Sequence, residues 1–594
     1  MGRKLIAVAA AIAAAVVALQ AQAAHAAGPA RCGLIRIAEL PVTMDGLTPT
    51  VPVKINGSDM RLVADSGAFY SLISPGAAAE RRLSLHATNL TIRGLGGDAA
   101  VYVTTVKTFT LAGVDLANIQ FLVGGSEAAT GGLLGQNVLG LADAEYDFAG
   151  GAIRLMKPHD CPSNQVLAYW ASGKPISQLE IRAPDPVDPQ TTGYVEVNGV
   201  KLRAVFDTGA SHSMLTLAGA AKAGLKPGAA SVSDAGYVRG LGRRLVRSWI
   251  GTVQTLKIGD EEVRTTRLRM GDFDLNGADL LLGADFFLSH RVYVSNRQHR
   301  MYFTYNGGPV FNLESGAMVQ QGGEAPKASL PTSDGRAEPT DAEGFARRAA
   351  AEASRRDLAH ALADFDQAVK LAPAEPRYLC ERGMAHWEDR KADAALADFD
   401  QALKLKPDDA DCLIARSQMR AGLDRRQGAL DDLDAAVRAL PAPADDRLTV
   451  ARLYLRLDAF QPAIGQFDAW IAAHREDSRR PEALDGRCRA RALLGTDLDK
   501  ALSDCSAAIG SGPKSSEFLT DRGIVRLRRG EADKALTDFQ AAIAIDAADA
   551  RALYGRGLAR VKLGKAAEGQ ADIAAATQRE PVLAPRWRRL GIAP

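Results

Sequence analysis

The same short acidic motif occurs twice in this chain, each time in the same surroundings. Asp65-Ser66-Gly67-Ala68 and Asp207-Thr208-Gly209-Ala210 lie 142 positions apart. Met60-Arg61-Leu62-Val63-Ala64 leads into the first and Leu202-Arg203-Ala204-Val205-Phe206 into the second. These apolar runs predict strands, and the glycine after each Asp permits a tight turn that lets two such loops approach each other. Further on, both halves carry Gly-Leu-Gly within β-prone sequence, at Gly94-Leu95-Gly96 and Gly240-Leu241-Gly242. A glycine-rich hairpin tip there predicts a mobile flap over the acidic loops. Leu133-Leu134-Gly135-Gln136-Asn137 and Leu281-Leu282-Gly283-Ala284-Asp285 then occupy matching places. Such a repeated order of landmarks constrains the chain to a duplicated, mainly β structure that brings two carboxyl groups together.

Paired carboxyls can share one proton, because two adjacent negative charges are costly to hold together; one then serves as acid and the other as base. The arrangement resembles the aspartic peptidases, in particular their retropepsin-like bacterial members, over roughly residues 45 to 305. The resemblance implies that Asp65 and Asp207 hold an attacking water and that the Ser66 and Thr208 hydroxyls bond across the loops. It also implies that Gly67 and Gly209 line a cleft for a peptide or protein substrate. Leu134-Gly135 and Leu282-Gly283 would then pack behind the acidic turns.

The halves are not identical. Phe69 stands where the second half has Ser211, and Gln136-Asn137 where it has Ala284-Asp285, so the first half reads as a drifted copy. Neither flap has an obvious tyrosine at its tip. An inactive, peptidase-like binding module is therefore an alternative reading.

Residues 1–26 have a basic start, an apolar run from Leu5 to Leu19 and Ala-x-Ala sites, the layout of a signal peptide. The mature chain is expected outside the cytoplasm, periplasmic or secreted, with no stable membrane span after cleavage. Cys32 and Cys161 bracket the first half and are candidates for a disulfide in an oxidising compartment. Cys380, Cys412, Cys488 and Cys505 sit on helical patterns and read as small buried apolar side chains. No metal-ligand spacing occurs, and no cofactor is implied. The formal charge of +2 on 594 residues, without a basic aromatic-rich patch, gives no support for a nucleic-acid partner.

Glycine, proline and polar residues dominate 306–341, which reads as a flexible tether between domains that fold separately. Beyond it, Phe365, Phe399, Leu433, Phe467, Cys505, Phe539 and Ile573 recur every 34 residues, except for one interval of 38. That period, with Gly383, Ala395, Ala402 and Pro407 around Phe399, resembles tetratricopeptide repeats and implies about seven units. Their concave face would dock a protein partner. The many Asp and Arg residues of the repeats read as solvated helix surface. The expected architecture is multidomain: two all-β aspartic-peptidase lobes, 27–165 and 166–305, followed by an all-α solenoid over 342–594. A scaffold in which the repeats hold the function is a further alternative.

Overall fold

The computed structural model describes residues 32–592, apart from 95–96, 126–130, 172, 184, 186–188, 241–244, 308–309, 312–337 and 476. The expected leader at 1–26 lies outside the described residues, as does most of the expected tether. Two compact units divide the chain between Lys406 and Pro407.

The first half of the β region contains β1 (Gly33–Pro41), β2 (Thr43–Asp45), β3 (Thr48–Ile55), β4 (Ser58–Ala64), β5 (Leu72–Ile73), β6 (His86–Gly94), β7 (Gly97–Leu111), β8 (Val114–Gly124), β9 (Gly132–Leu134), β10 (Asp143–Asp147) and β11 (Ala152–His159). The second contains β12 (Ser177–Glu180), β13 (Thr192–Val197), β14 (Val200–Phe206), β15 (Met214–Thr216), β16 (Val232–Val238), β17 (Val246–Ile258), β18 (Glu261–Gly271), β19 (Leu280–Leu282), β20 (His290–Ser295) and β21 (Arg300–Tyr305).

Matching hairpins deliver the two acidic loops. Asn56-Gly57 joins β3 to β4, and Asn198-Gly199 joins β13 to β14. All four turn residues have positive φ, from 50° to 84°, which asparagine and glycine tolerate and which suits the twist of a tight hairpin. Each asparagine side chain also accepts from a neighbouring strand, Asn56 from the Thr108 amide (3.1 Å) and Asn198 from the Gln254 amide (2.9 Å).

One half forms the sheet β2-β3-β4-β9-β5-β8-β7-β6 and the other β13-β14-β19-β15-β18-β17-β16, the same order once β2 is set aside. In both, the strand ending at the Asp runs parallel to the Leu-Leu strand, with Ala64 opposite Leu134 and Phe206 opposite Leu282. Leu62, Ala64, Leu134, Ala204, Phe206 and Leu282 all face one apolar core that extends through both halves. A third sheet, β1-β11-β10-β20-β21-β12, takes three strands from each half and joins them at β10–β20. In it the buried Glu145 pairs with an arginine from each half, Arg154 (2.6 Å) and Arg291 (2.7 Å). Breaking a buried pair on one side leaves an uncompensated charge, so this contact resists separation of the halves.

Repeat helices from Ala342 to Leu405 belong to the first compact unit. The small side chain of Ala351 is part of the β core, and Arg355 donates to the carbonyls of Asn306 (3.2 Å) and Gly307 (2.8 Å). The second unit holds the later repeat helices and ends on a terminal helix, Leu583–Arg589. Seven helix pairs are present among the described residues, from Ala342–Ser354 with Leu358–Leu371 to Ala550–Lys562 with Ala566–Arg579. Among the described residues, no helix is long and apolar enough to cross a membrane.

Two expectations for the repeats are corrected. Arg and Asp residues recur as bidentate pairs, Arg382–Asp398, Arg416–Asp432, Arg487–Asp504, Arg522–Asp538 and Arg556–Asp572, with closest distances of 2.5–2.7 Å. Arg348–Asp364 makes the corresponding contact in the first pair of helices. These aspartates are buried, not solvated surface, because each carboxylate lies between the two helices of its repeat. Arg420, Arg491, Arg526 and Arg560 add a second guanidinium to four of them. In the fourth repeat the equivalent positions are Val450 and Gln466, and there is no such pair. Cys488 and Cys505 are the second correction, because they form a disulfide, while Cys380 and Cys412 are buried and lie outside any disulfide. Gly383 lies against Phe399 and Gly523 against Phe539, and the two cysteines replace one such glycine–aromatic contact by a covalent bond.

Candidate active site

The two acidic loops meet through a reciprocal set of hydrogen bonds. The Ser66 amide donates to Thr208 Oγ1 (2.9 Å), and the Thr208 amide donates to Ser66 Oγ (3.0 Å). Each hydroxyl donates onward across the interface, Ser66 to the Phe206 carbonyl (2.9 Å) and Thr208 to the Ala64 carbonyl (2.6 Å). Both residues are buried, so these partners replace the water that the hydroxyls and amides have lost.

Asp65 and Asp207 face each other above this lattice. Asp65 Oδ1 accepts from the amides of Gly67 (2.9 Å) and Ala68 (2.8 Å), and Asp207 Oδ1 accepts from the Gly209 amide (2.9 Å). A Cβ at Gly67 would overlap the Asp207 carboxyl group, and one at Gly209 would overlap that of Asp65. Glycine is required here by close approach, whatever the backbone angles.

The two carboxyl groups are close enough for the ionisation of one to affect the other. Burial, and then the negative charge of Asp207, hold Asp65 well above the usual carboxylate range. Burial raises Asp207 too, but bonds from Asp65 and from the amides of Gly209, Ala210 and Gly67 oppose it. The pair therefore keeps one proton, with the ionised form favoured at Asp207.

A serine six residues beyond each Asp fixes the loop from behind. Ser71 Oγ donates to Asn137 Oδ1 (2.9 Å) and accepts from the Gly135 amide (3.0 Å). Ser213 Oγ donates to Asp285 Oδ1 (2.6 Å) and accepts from the Gly283 amide (2.9 Å). Asn137 thus does with an amide oxygen what Asp285 does with a carboxylate. Burial pushes the Asp285 carboxyl up to about 6, against the opposing effect of its bonds to Ser213. Gln136, at the other drifted position, donates from Nε2 to the Ser66 carbonyl (2.9 Å). Gln190, from the second half, donates to the Gly67 carbonyl (2.7 Å).

Ser66, Gly67, Thr208 and Gly209 are thus brought together with the two aspartates. Of the flap residues, Gly94 pairs with Gly97 at the end of the β6–β7 hairpin, and Gly240 lies past the end of β16. Leu95, Gly96, Leu241 and Gly242 lie outside the described residues. Cys32 and Cys161 are joined in a disulfide. Sequence reasoning passed over Ser71, Ser213 and Gln190. The common offset of the two serines from the aspartates was the available signal for the first two.

The model of the aspartyl protease family matches residues 51–138 and 194–286. Tetratricopeptide repeat models match 376–409 and 523–564. The chain carries an aspartyl-protease-like region in two half-domains, followed by tetratricopeptide repeats. Solved structures similar to it include a tetratricopeptide repeat protein from Parabacteroides merdae, at 16% identity and a TM-score of 0.33 over 42% of this chain and 98% of that one. Another is YrrB, a TPR protein with an unusual peptide-binding site, at 20% identity and a TM-score of 0.29 over 32% and 97%. PilW, a widely conserved type IV pilus biogenesis factor, is also similar, at 20% identity and a TM-score of 0.29 over 34% and 92%. No curated protein matches the chain.

Proposed function

We propose that the chain is an exported aspartic endopeptidase whose repeats dock a protein substrate or partner. The single observation that carries this reading is the pair of half-buried carboxyl groups, each packed against the glycine of the facing loop, on two loops that lock together. A water held between them is activated by the ionised carboxylate at Asp207, which takes its proton as the oxygen attacks the scissile carbonyl. Protonated Asp65 donates to the carbonyl oxygen and stabilises the charge that develops there. Collapse of the tetrahedral intermediate moves a proton to the leaving amine and returns the pair to its singly protonated state. No covalent enzyme intermediate forms.

Both half-sites lie on one chain, so catalysis does not depend on dimerisation. The leader-like layout of residues 1–26 supports export, and so do two disulfides, which persist in oxidising compartments. The docking role of the repeats rests on their architecture, which commonly presents a concave peptide-binding surface.

The test is incubation of the purified full chain with a diverse peptide library beside Asp65→Asn and Asp207→Asn. Cleavage by the parent protein and by neither variant is the expected result. Cleavage that survives either substitution removes the proposed mechanism.

A further inference from the structure

The two halves use unlike chemistry at one matched position beneath the flap hairpins. In the first half β5 runs parallel to β8 with Leu72 opposite Leu122, and in the second β15 runs parallel to β18 with Met214 opposite Arg269. The hairpin strands agree with this register, since Val101 is opposite Gly124 and Ser248 is opposite Gly271. Arg269 therefore stands where the first half has Leu122, and Ser248 where it has Val101.

In the first half these positions are apolar. Leu72, Val101 and Leu122 form a small cluster, separate from the main core, with Ile92, Val103 and Leu133 packed against it. In the second half, Leu268 and Met270 face the core on either side of Arg269, which points to the opposite face. Its Nη1 donates to Ser248 Oγ (2.8 Å) and to the Ala235 carbonyl (3.3 Å), both on the flap hairpin. Arg269 is only 8% exposed, and its Nε is buried with no partner. Nδ1 of His212, five residues beyond Asp207, is likewise buried without a partner. Among the described residues Arg269 has no carboxylate partner, and burial alone lowers its pKa. Burial, and then the Arg269 charge, lower that of His212. A buried guanidinium whose donors are not all used is costly to keep and gains strongly from an incoming anion.

We propose that Arg269, with His212 beside it, forms an acid-selective subsite in which the guanidinium pairs with the Asp or Glu side chain of a bound peptide, while the matched apolar position in the first half takes an aliphatic side chain. This rests on the proposed peptide cleft and deepens it. A site built to hydrogen-bond a carboxylate rejects a peptide that lacks one, because its own donors are then left unpaired.

The test uses the full chain and pairs of short peptides that carry a leucine near one Asp, or the same peptide with Asn in place of Asp. Binding is followed by fluorescence anisotropy and cleavage by mass spectrometry. The Asp peptide is expected to bind at least about tenfold more tightly, a ratio that a charge-assisted hydrogen bond can supply. Arg269→Leu, which copies the first half, should bring the ratio close to one. Arg267→Leu removes the same charge from an exposed position two residues away and should leave the ratio as it was. A wild-type ratio near one, or a ratio that survives Arg269→Leu, overturns the subsite. Acid-selective binding without turnover supports the subsite and sinks the peptidase reading. Turnover without acid selectivity does the reverse.

Discussion

A side chain on Gly67 would occupy the space that the Asp207 carboxyl group fills. Gly67→Ala should therefore push the two acidic loops apart. A displacement of about 1 Å at a catalytic group costs on the order of a hundredfold in rate, and a loss of at least that size in kcat/KM is expected. The melting transition should remain cooperative, because the added methyl group lies at the loop rather than in the core. Wild-type turnover by this variant would show that the carboxyl groups are not held at working distance.

Because the dyad shares one proton, cleavage should follow a bell-shaped pH profile. It falls on the acid side as Asp207 takes up a second proton, and on the alkaline side as Asp65 loses its own. Both folded-state values are raised, so the native state binds more protons than the unfolded chain between the unfolded and folded pKa values. The associated stability is present at low pH and is lost as pH rises through the folded values. Asp65→Asn should thus abolish cleavage yet raise the melting temperature at neutral pH, with a smaller gain under acid conditions. Melting curves at both pH values measure this, and a lower Tm at neutral pH contradicts it.

Asp285→Asn copies the first half, where Asn137 already receives the serine hydroxyl. The Asp285 carboxyl is pushed up to about 6 from an ordinary value of 3.8, so its ionisation penalises the fold as pH rises through that interval. Removing the charge should stabilise the protein above pH 6 by on the order of 1–2 kcal/mol and have little effect near pH 4. Chemical denaturation at the two pH values separates this from a simple loss of contacts, which would destabilise at both.

The buried carboxylates of the repeats make a third kind of demand. Asp538 accepts from Arg522 (2.7 Å) and Arg526 (2.8 Å). Asp538→Ala leaves two guanidiniums without their shared partner and should cost about 3 kcal/mol. Asp533→Ala, on the exposed side of the same helix, should change stability by less than about 0.5 kcal/mol. Urea unfolding of the full chain, followed by helical signal, distinguishes them; equal midpoints for the two variants would mean that the paired charges contribute nothing.

Much of the site was legible because its parts are local and occur twice. An Asp at a strand end, a following glycine and a Leu-Leu-Gly segment each have their own residue signature, and duplication supplied the register between halves. The six-stranded sheet was not legible. β1 and β12 pair across long separations with strands that carry no mark of their partners. Asn137 was read as drift because the chain alone does not say that Ser71 needs only an acceptor, which an amide oxygen supplies as well as a carboxylate. The Arg–Asp pairs were visible as spacing but were assigned to solvent, the usual place for charge. Cys505 stands openly at the aromatic anchor of its repeat, but Cys488, at the glycine place of the facing helix, carries no mark that pairs the two, so both read as small apolar side chains.

Leu122 and Arg269 are related by the approximate symmetry of the two halves, yet one is oily and the other cationic. Two identical subunits around a shared groove would accept an extended polypeptide equally well in either sense. A groove made from two unlike copies on one chain has a heading. A strand laid across the proposed cleft from amino to carboxyl end meets these surroundings in one sequence, and the reversed strand meets them in the other, so the proposed subsites select the orientation of the guest.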